Sequence, residues 1–287
     1  MKKFPQWLNR FFVYLQLNEV KGKYRFYLLT AKLFKRFVIK HQVGQQAFYV
    51  PYDQWCFWKN FGPNNYYLEE MLPFTEFINQ NMAAFDFIDL GADIGTVSAL
   101  AKKHCTQLQQ VIALEPNPSS FNILKHNHQL PAQVFNYAVS DFDGSCLFNF
   151  ESEQASDHEG HIDPTKQGST PVFSLDSFID KKQIKLSKNI VIKIDVEGQE
   201  QAVFRGAQNT IKQADKVIVL LELHPDTLAR DGLTAEAIFD EAEAVADFYW
   251  LVPLLDNKVV DRKTPFFEQF PTQQYDVIGI AIKTEPS

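Results

Sequence analysis

A chain of 287 residues with 45% apolar, 14% aromatic and 22% charged residues can build a sizeable core, which excludes disordered, collagen-like and coiled-coil readings. Its formal net charge of -7 is uneven: residues 1–40 hold ten Lys or Arg against the single acid Glu19, a sum of +9, and the other 18 bases and 34 acids sum to -16. An acidic body excludes nucleic acid as its partner, while the basic arm suits an anionic one, such as a lipid surface or a polyanionic acceptor.

In the arm, Phe4, Leu8, Phe11 and Leu15 follow helical spacing, widened by Trp7, Phe12 and Tyr14. A second segment, residues 24–40, interleaves Phe26, Leu29, Leu33, Phe34 and Phe37 with Arg25, Lys32, Lys35 and Arg36. Basic, aromatic helices of this kind can lie in a membrane interface, and they can equally pack on the domain or form a homodimer contact. All three readings stay open here. No signal peptide is expected, because Pro5, Gln6, Asn9 and Arg10 break the run after Lys2 and Lys3. No run reaches the roughly 20 apolar residues that span a bilayer. Cys56, Cys105 and Cys146 are too few and too scattered for a disulfide framework or a CxxC site. They predict a reducing, cytoplasmic setting, with the arm as the candidate for peripheral contact at the inner membrane face.

Residues 41–80 are aromatic and turn-rich, punctuated by Pro51, Gly62-Pro63-Asn64-Asn65 and Pro73. They predict strands or a cover leading into a helix over 69–80. From residue 85, short apolar runs alternate with helical stretches, the pattern of a parallel sheet with crossover helices. Strands are predicted at 85–90, 110–114, 133–137, 190–194, 216–223, 248–252 and 275–282. Helices are predicted after Gly95 and at 118–128, 174–181, 198–212 and 234–246. The expected division is a basic, aromatic extension over 1–80 and an α/β domain over 81–287.

The first predicted strand runs through the turn Gly91-Ala92-Asp93-Ile94-Gly95 into a helix. The glycines let the backbone turn sharply and approach a ligand, and the helix start offers free N–H groups. A dinucleotide fingerprint would need glycine at Asp93, where an acid is badly placed beside a pyrophosphate. Asp89 and Asp93 suit a ligand with positive charge, such as an α-ammonium group. A plain tight turn is the alternative. Glu115 ends the second strand, 24 positions after Gly91 (115 minus 91), where an acid can accept from both ribose hydroxyls. The pair points to an adenosine derivative, with Asn117 exposed near the same sugar. A helix-capping role for Glu115 is the competing reading.

The segment Ile190 to Ala207 interrupts an apolar strand with Lys193 and ends it in Asp195, followed by Glu197, Gly198 and Glu200. A buried Lys193 needs a carboxylate partner, which Asp195 or Glu222 can supply. Glu222 and His224 arrive at the same edge from the next strand. Such a cluster serves acid–base chemistry, or forms a structural ion-pair network. The polar stretch 151–170 holds Asp157, His158, Glu159, His161 and Asp163; it reads as a surface loop or an acceptor-binding lid, and no metal is expected there.

These segments together resemble the FkbM-type methyltransferases, within the class I S-adenosylmethionine-dependent enzymes. The matching residues are DLGADIG (89–95), LEPNP (114–118), AVSDFDG (138–144), SLDSF (174–178), KIDVEGQE (193–200), RGA (205–207) and LELHP (221–225). The resemblance implies an α/β fold: a seven-stranded, mostly parallel Rossmann-like sheet with the last strand antiparallel and helices on both faces. It implies S-adenosyl-L-methionine as cofactor and O-methylation of a hydroxyl on a sugar, glycan or secondary metabolite. It carries Asp89, Gly91, Ala92 and Gly95 over as methionine-side contacts, Glu115 as the ribose contact, and Ala138 and Val139 as neighbours of adenine. Two departures stand out: Asp93 replaces the family's usual Asn, and Ala138 stands where many class I enzymes have an acid, leaving Asp141 as the acid nearest that loop. The mechanism this implies needs a base for the hydroxyl proton, either Asp195 or His224, with Glu197 and Glu222 holding the acceptor or Lys193. The competing classes are a nicotinamide-dependent oxidoreductase, which lacks its glycine fingerprint here, and a non-catalytic membrane-associated binding protein.

Overall fold

The structure is a computed structural model and describes residues 1–128, 132–150 and 160–283. The arm forms β1 (Lys2–Lys3), α1 (Gln6–Leu17), α2 (Lys23–Phe34), β2 (Phe37–Val43), β3 (Gln46–Pro51) and α3 (Trp55–Lys59), and α4 (Leu68–Asn81) leads into the body. The predicted second segment therefore ends earlier than expected, at Phe34, because Phe37 to Val43 pairs antiparallel with β3. Aromatic side chains build a separate core there, with Phe12, Tyr27, Tyr52 and Trp58 buried against one another.

The body follows as β4 (Phe85–Leu90), α5 (Thr96–His104), β5 (Leu108–Leu114), α6 (Pro118–Asn127), β6 (Ala132–Phe135), β7 (Ala138–Ser140), β8 (Gly144–Asn149), β9 (His161–Asp163) and β10 (Thr170–Ser174). Next come α7 (Leu175–Lys182), β11 (Asn189–Ile194), α8 (Glu200–Gly206), α9 (Gln208–Gln213), β12 (Lys216–Leu223), α10 (Pro225–Asp231), α11 (Ala235–Glu243), β13 (Tyr249–Val252), β14 (Lys258–Val259), α12 (Phe266–Gln269) and β15 (Tyr275–Ile282). The main sheet has the order β14-β13-β15-β12-β11-β4-β5-β6. Strands β6, β5, β4, β11 and β12 run parallel, and β15 pairs antiparallel with β12. The central strands read as continuous apolar runs because both faces are covered: Ile190, Ile192 and Ile194 enter one core and Val191 the other.

One expectation about the sheet is corrected. It has eight strands rather than seven, since the two-residue β14 pairs with β13 at the edge, too short to leave a periodic signal. The last strand, β15, is antiparallel to both β12 and β13, and β14 adds one more antiparallel pair, so the sheet is mixed. A second sheet, ordered β7-β10-β8-β9, was not predicted at all. It places His161 and Asp163 on a strand rather than in a loop, while Asp157, His158 and Glu159 lie outside the described residues.

Candidate active site

The carboxyl ends of β4, β5 and β11 open onto one cleft, the position at which open α/β sheets bind ligands. The cleft encloses about 790 Å³ of space, open solvent at its mouth included.

Gly91 takes φ +75°, and a Cβ there would sit 1.7 Å from the Asp195 carbonyl oxygen. Only glycine lets the ends of β4 and β11 touch. The Gly91 and Ala92 amides donate to the Leu114 carbonyl at 3.1 and 3.0 Å, which pins the turn to β5. Gly95, at φ +87°, faces Leu124 and the ring of His128 with no room for a side chain. Gly91, Ala92 and Asp93 line the cleft. Asp93 holds φ +45° without being glycine, a strained conformation of the kind that recurs at functional sites. Its amide donates to Glu115 Oε2 at 2.7 Å, and its own carboxylate accepts from Gln54 at 3.1 Å.

Glu115 lines the cleft, is 6% exposed, and accepts a second backbone hydrogen bond on Oε1 from Asn117 at 2.7 Å. Burial first, and then the nearby Asp93, push its pKa up to about 8. The carboxylate is anchored from behind by two amides, and its remaining lone pairs are available to a diol. Ala138 and Val139 are buried on β7 and form an apolar wall of the same cleft together with Pro116.

Three predicted cofactor contacts sit elsewhere than expected. Asn117 is 1% exposed rather than open to the cleft, because its side chain caps α6 by accepting from the Ser119 amide at 2.9 Å. Asp141 is paired with Arg205 at 2.8 Å, and its flank belongs to a different surface depression. Asp89 is fully buried behind the turn, where it accepts from the Ser98 hydroxyl and lies 3.7 Å from Lys193. Burial raises its pKa in spite of that lysine.

On the other wall, Lys193 is 6% exposed and its ammonium donates to the Gly91 carbonyl at 2.9 Å and to Asp195 at 2.6 Å. Burial acts to lower its pKa, but the carboxylates of Asp195 and Asp89 outweigh that and hold it above the ordinary lysine value. Lys193 is thus a fixed cation. Asp195, Glu197 and Glu222 bring carboxylate oxygens within 4.8 Å of one another, a spacing that a divalent cation could bridge. Asp195 and Glu197 line the cleft. Glu197, at φ +52°, accepts from Thr227 at 3.0 Å, and burial followed by repulsion from Asp195 raises its pKa to about 8. Glu222 lies opposite Asp276 in the β12–β15 register and accepts from Gln274. Burial and the facing Asp195 raise Glu222 well above a normal carboxylate, and burial with Glu70 does the same to Asp276. His224 sits at the N-cap position of α10 without a side-chain capping bond, its Nδ1 is buried and without a hydrogen-bond partner, and it is not among the residues lining the cleft.

The sequence reading missed Tyr66, which reaches the cleft from the segment before α4, stacked on Phe57. Burial raises its hydroxyl pKa well above the ordinary phenol value. It also missed Phe148 and Ile162, which the second sheet adds to the lining. The turn signal Gly62-Pro63-Asn64-Asn65 marked Tyr66 as a loop residue, but nothing local told which way that loop would fold.

Residues 89–248 match the model of the methyltransferase FkbM domain. The chain belongs to that family. S-adenosylmethionine is the cofactor of these methyltransferases. The cleft's residues fit it: an anchored carboxylate that would meet the ribose, an apolar wall that would take the base, and the acid Asp93 that would meet the ammonium end. A curated relative, the hexuronic acid methyltransferase AglP of Haloferax volcanii, is 30% identical over 147 residues, which is 50% of this chain and 57% of that protein. The chain thus spans little more than half the length of that relative. Among solved structures, the FkbM methyltransferase of Methylobacillus flagellatus KT is similar with a TM-score of 0.43 and 13% identity, covering 92% of this chain and 62% of that one. The plantazolicin methyltransferase BpumL in complex with SAH gives a TM-score of 0.39 and 10% identity, covering 77% and 85%.

Proposed function

We propose that this FkbM-family protein transfers a methyl group from S-adenosylmethionine to a hydroxyl of a sugar or glycan, with a hexuronic acid as the first acceptor to try. One observation carries the reading: Glu115 and Asp195 line the same cleft, so a ligand held by the first ends beside the second. The sugar class rests on the hexuronic acid methyltransferase relative.

Glu115 would hold the ribose hydroxyls, Ala138 and Val139 the adenine, and Asp93 with the turn backbone the amino-acid end. When bound, the cofactor supplies an electrophilic methyl on a sulfonium. The chain's own part is to align a hydroxyl with that methyl and to take its proton. Because His224 lies off the cleft lining, the base falls to Asp195. Lys193 donates to that carboxylate at 2.6 Å and fixes its position, while Glu197 on the cleft wall meets other acceptor hydroxyls and Glu222, off the lining, backs the pair from behind. In this reading, residues 1–80 are an extension that completes the donor side of the cleft through Gln54 and Tyr66.

The test is a thermal-shift series with S-adenosylmethionine, S-adenosylhomocysteine, NAD and NADP, followed by methyl-transfer assays on glucuronate-terminated, galacturonate-terminated and neutral oligosaccharides. Stabilisation by the first two ligands only, with transfer to a uronate, is expected. Stabilisation by NAD would overturn the cofactor assignment, and transfer to neutral sugars alone would overturn the choice of a hexuronic acid.

A further inference from the structure

The outward face of the helical pair in the arm takes no part in the chemistry above. In α1, Trp7, Arg10, Phe11, Tyr14 and Leu17 recur at spacings of three and four, so they share one face, and all are exposed. In α2, Arg25, Leu28, Leu29, Lys32 and Leu33 do the same. The inward faces are occupied, since Phe12 and Tyr27 pack on Tyr52 and Trp58. The outward ones are not: Trp7 is 71% exposed, Leu29 77% and Leu33 73%. The rings of Phe11 on the α1 stripe and Phe26 on α2 meet edge to face at 6.3 Å, so the two helices touch.

Neither helix contains an acid, and Glu19 between them is the only one in residues 1–40. Cations interleaved with Trp, Tyr and Leu suit a headgroup–acyl boundary, where the apolar groups enter and the cations meet phosphates. A second copy of the chain would set a +9 arm against another +9 arm. A soluble polyanion would answer the charge and leave the leucines in water. An anionic bilayer satisfies both features. We propose that this face of α1 and α2 seats the protein on an anionic lipid surface.

The test uses the full chain and sedimentation with vesicles of phosphatidylcholine alone and of phosphatidylcholine mixed with phosphatidylglycerol. Binding to the mixed vesicles, weakened by salt and accompanied by a blue shift of Trp7 fluorescence, is expected. The charge variant Arg25→Gln/Lys32→Gln/Arg36→Gln should weaken the partition roughly a hundred-fold, at about fivefold per cation. The apolar variant Leu29→Ser/Leu33→Ser should weaken it about tenfold or more. Circular dichroism and an unchanged thermal midpoint establish that both variants fold. Equal binding of wild type and both folded variants would overturn the proposal. Loss with the charge variant alone would overturn it in favour of a soluble polyanion. Absence of vesicle binding together with dimers that the apolar variant dissolves would overturn it in favour of a contact between copies.

Discussion

The wall of the cleft at β4 and β5 is held by backbone groups, whereas the wall at β11 and β12 is held by charged side chains. On the first, the Asp93 and Asn117 amides fix Glu115, and the Leu114 carbonyl fixes the glycine turn. On the second, Lys193 fixes Asp195, and Glu197 and Glu222 crowd it. The amides of the first wall do not titrate, but the Glu115 carboxyl they hold does, with its pKa pushed up to about 8. The second wall gathers several carboxylates that crowd one another, so it is where a proton can be taken from an acceptor.

The largest expected effect separates chemistry from binding. Asp195→Asn keeps the shape of the second wall but removes the base, so turnover should fall roughly 10²- to 10⁴-fold while calorimetry gives unchanged cofactor affinity. Normal turnover in this variant would place the base elsewhere. The mirror-image change is Glu115→Ala, which should weaken S-adenosylmethionine about a hundred-fold by removing the carboxyl that meets two hydroxyls. If its affinity stayed within a few-fold of wild type, the backbone-held wall would not be the donor wall.

A smaller effect sharpens the contrast in titration. Glu197 has a folded pKa of about 8 against an ordinary 4.5, so the folded protein binds its proton more tightly than the unfolded chain. Its contribution to stability is complete below about pH 4.5 and is lost as pH rises through 8. Glu115 shares that direction, again with a folded value of about 8. The thermal midpoint should therefore decline between pH 5 and 8, and Glu197→Gln should make that decline shallower. A midpoint that rises over the same range in wild type would contradict the direction. The smallest effect is expected at Asp141, exposed and paired with Arg205 at 2.8 Å. Asp141→Ala should cost about 0 to 1 kcal/mol of stability and leave cofactor affinity unchanged. A large loss of affinity would return Asp141 to the donor wall.

The sequence by itself determined what depends on neighbours along the chain. Gly91 and Gly95 dictate a turn because only glycine relaxes at their φ values, and Glu115 and Asp195 fall at the ends of apolar runs that can only be central strands. Tertiary structure alone decided which side chains are used up before a ligand arrives. Asn117 is consumed two residues away by its own helix, but Asp141 is consumed by Arg205, 64 positions on, and Asp89 by a lysine on another strand. It also decided that Tyr66, Phe148 and Ile162 line the cleft, and that His224 does not. The physical reason is that spacing fixes where a residue sits on its own element, while partners and solvent access are fixed by whichever distant segment packs against it.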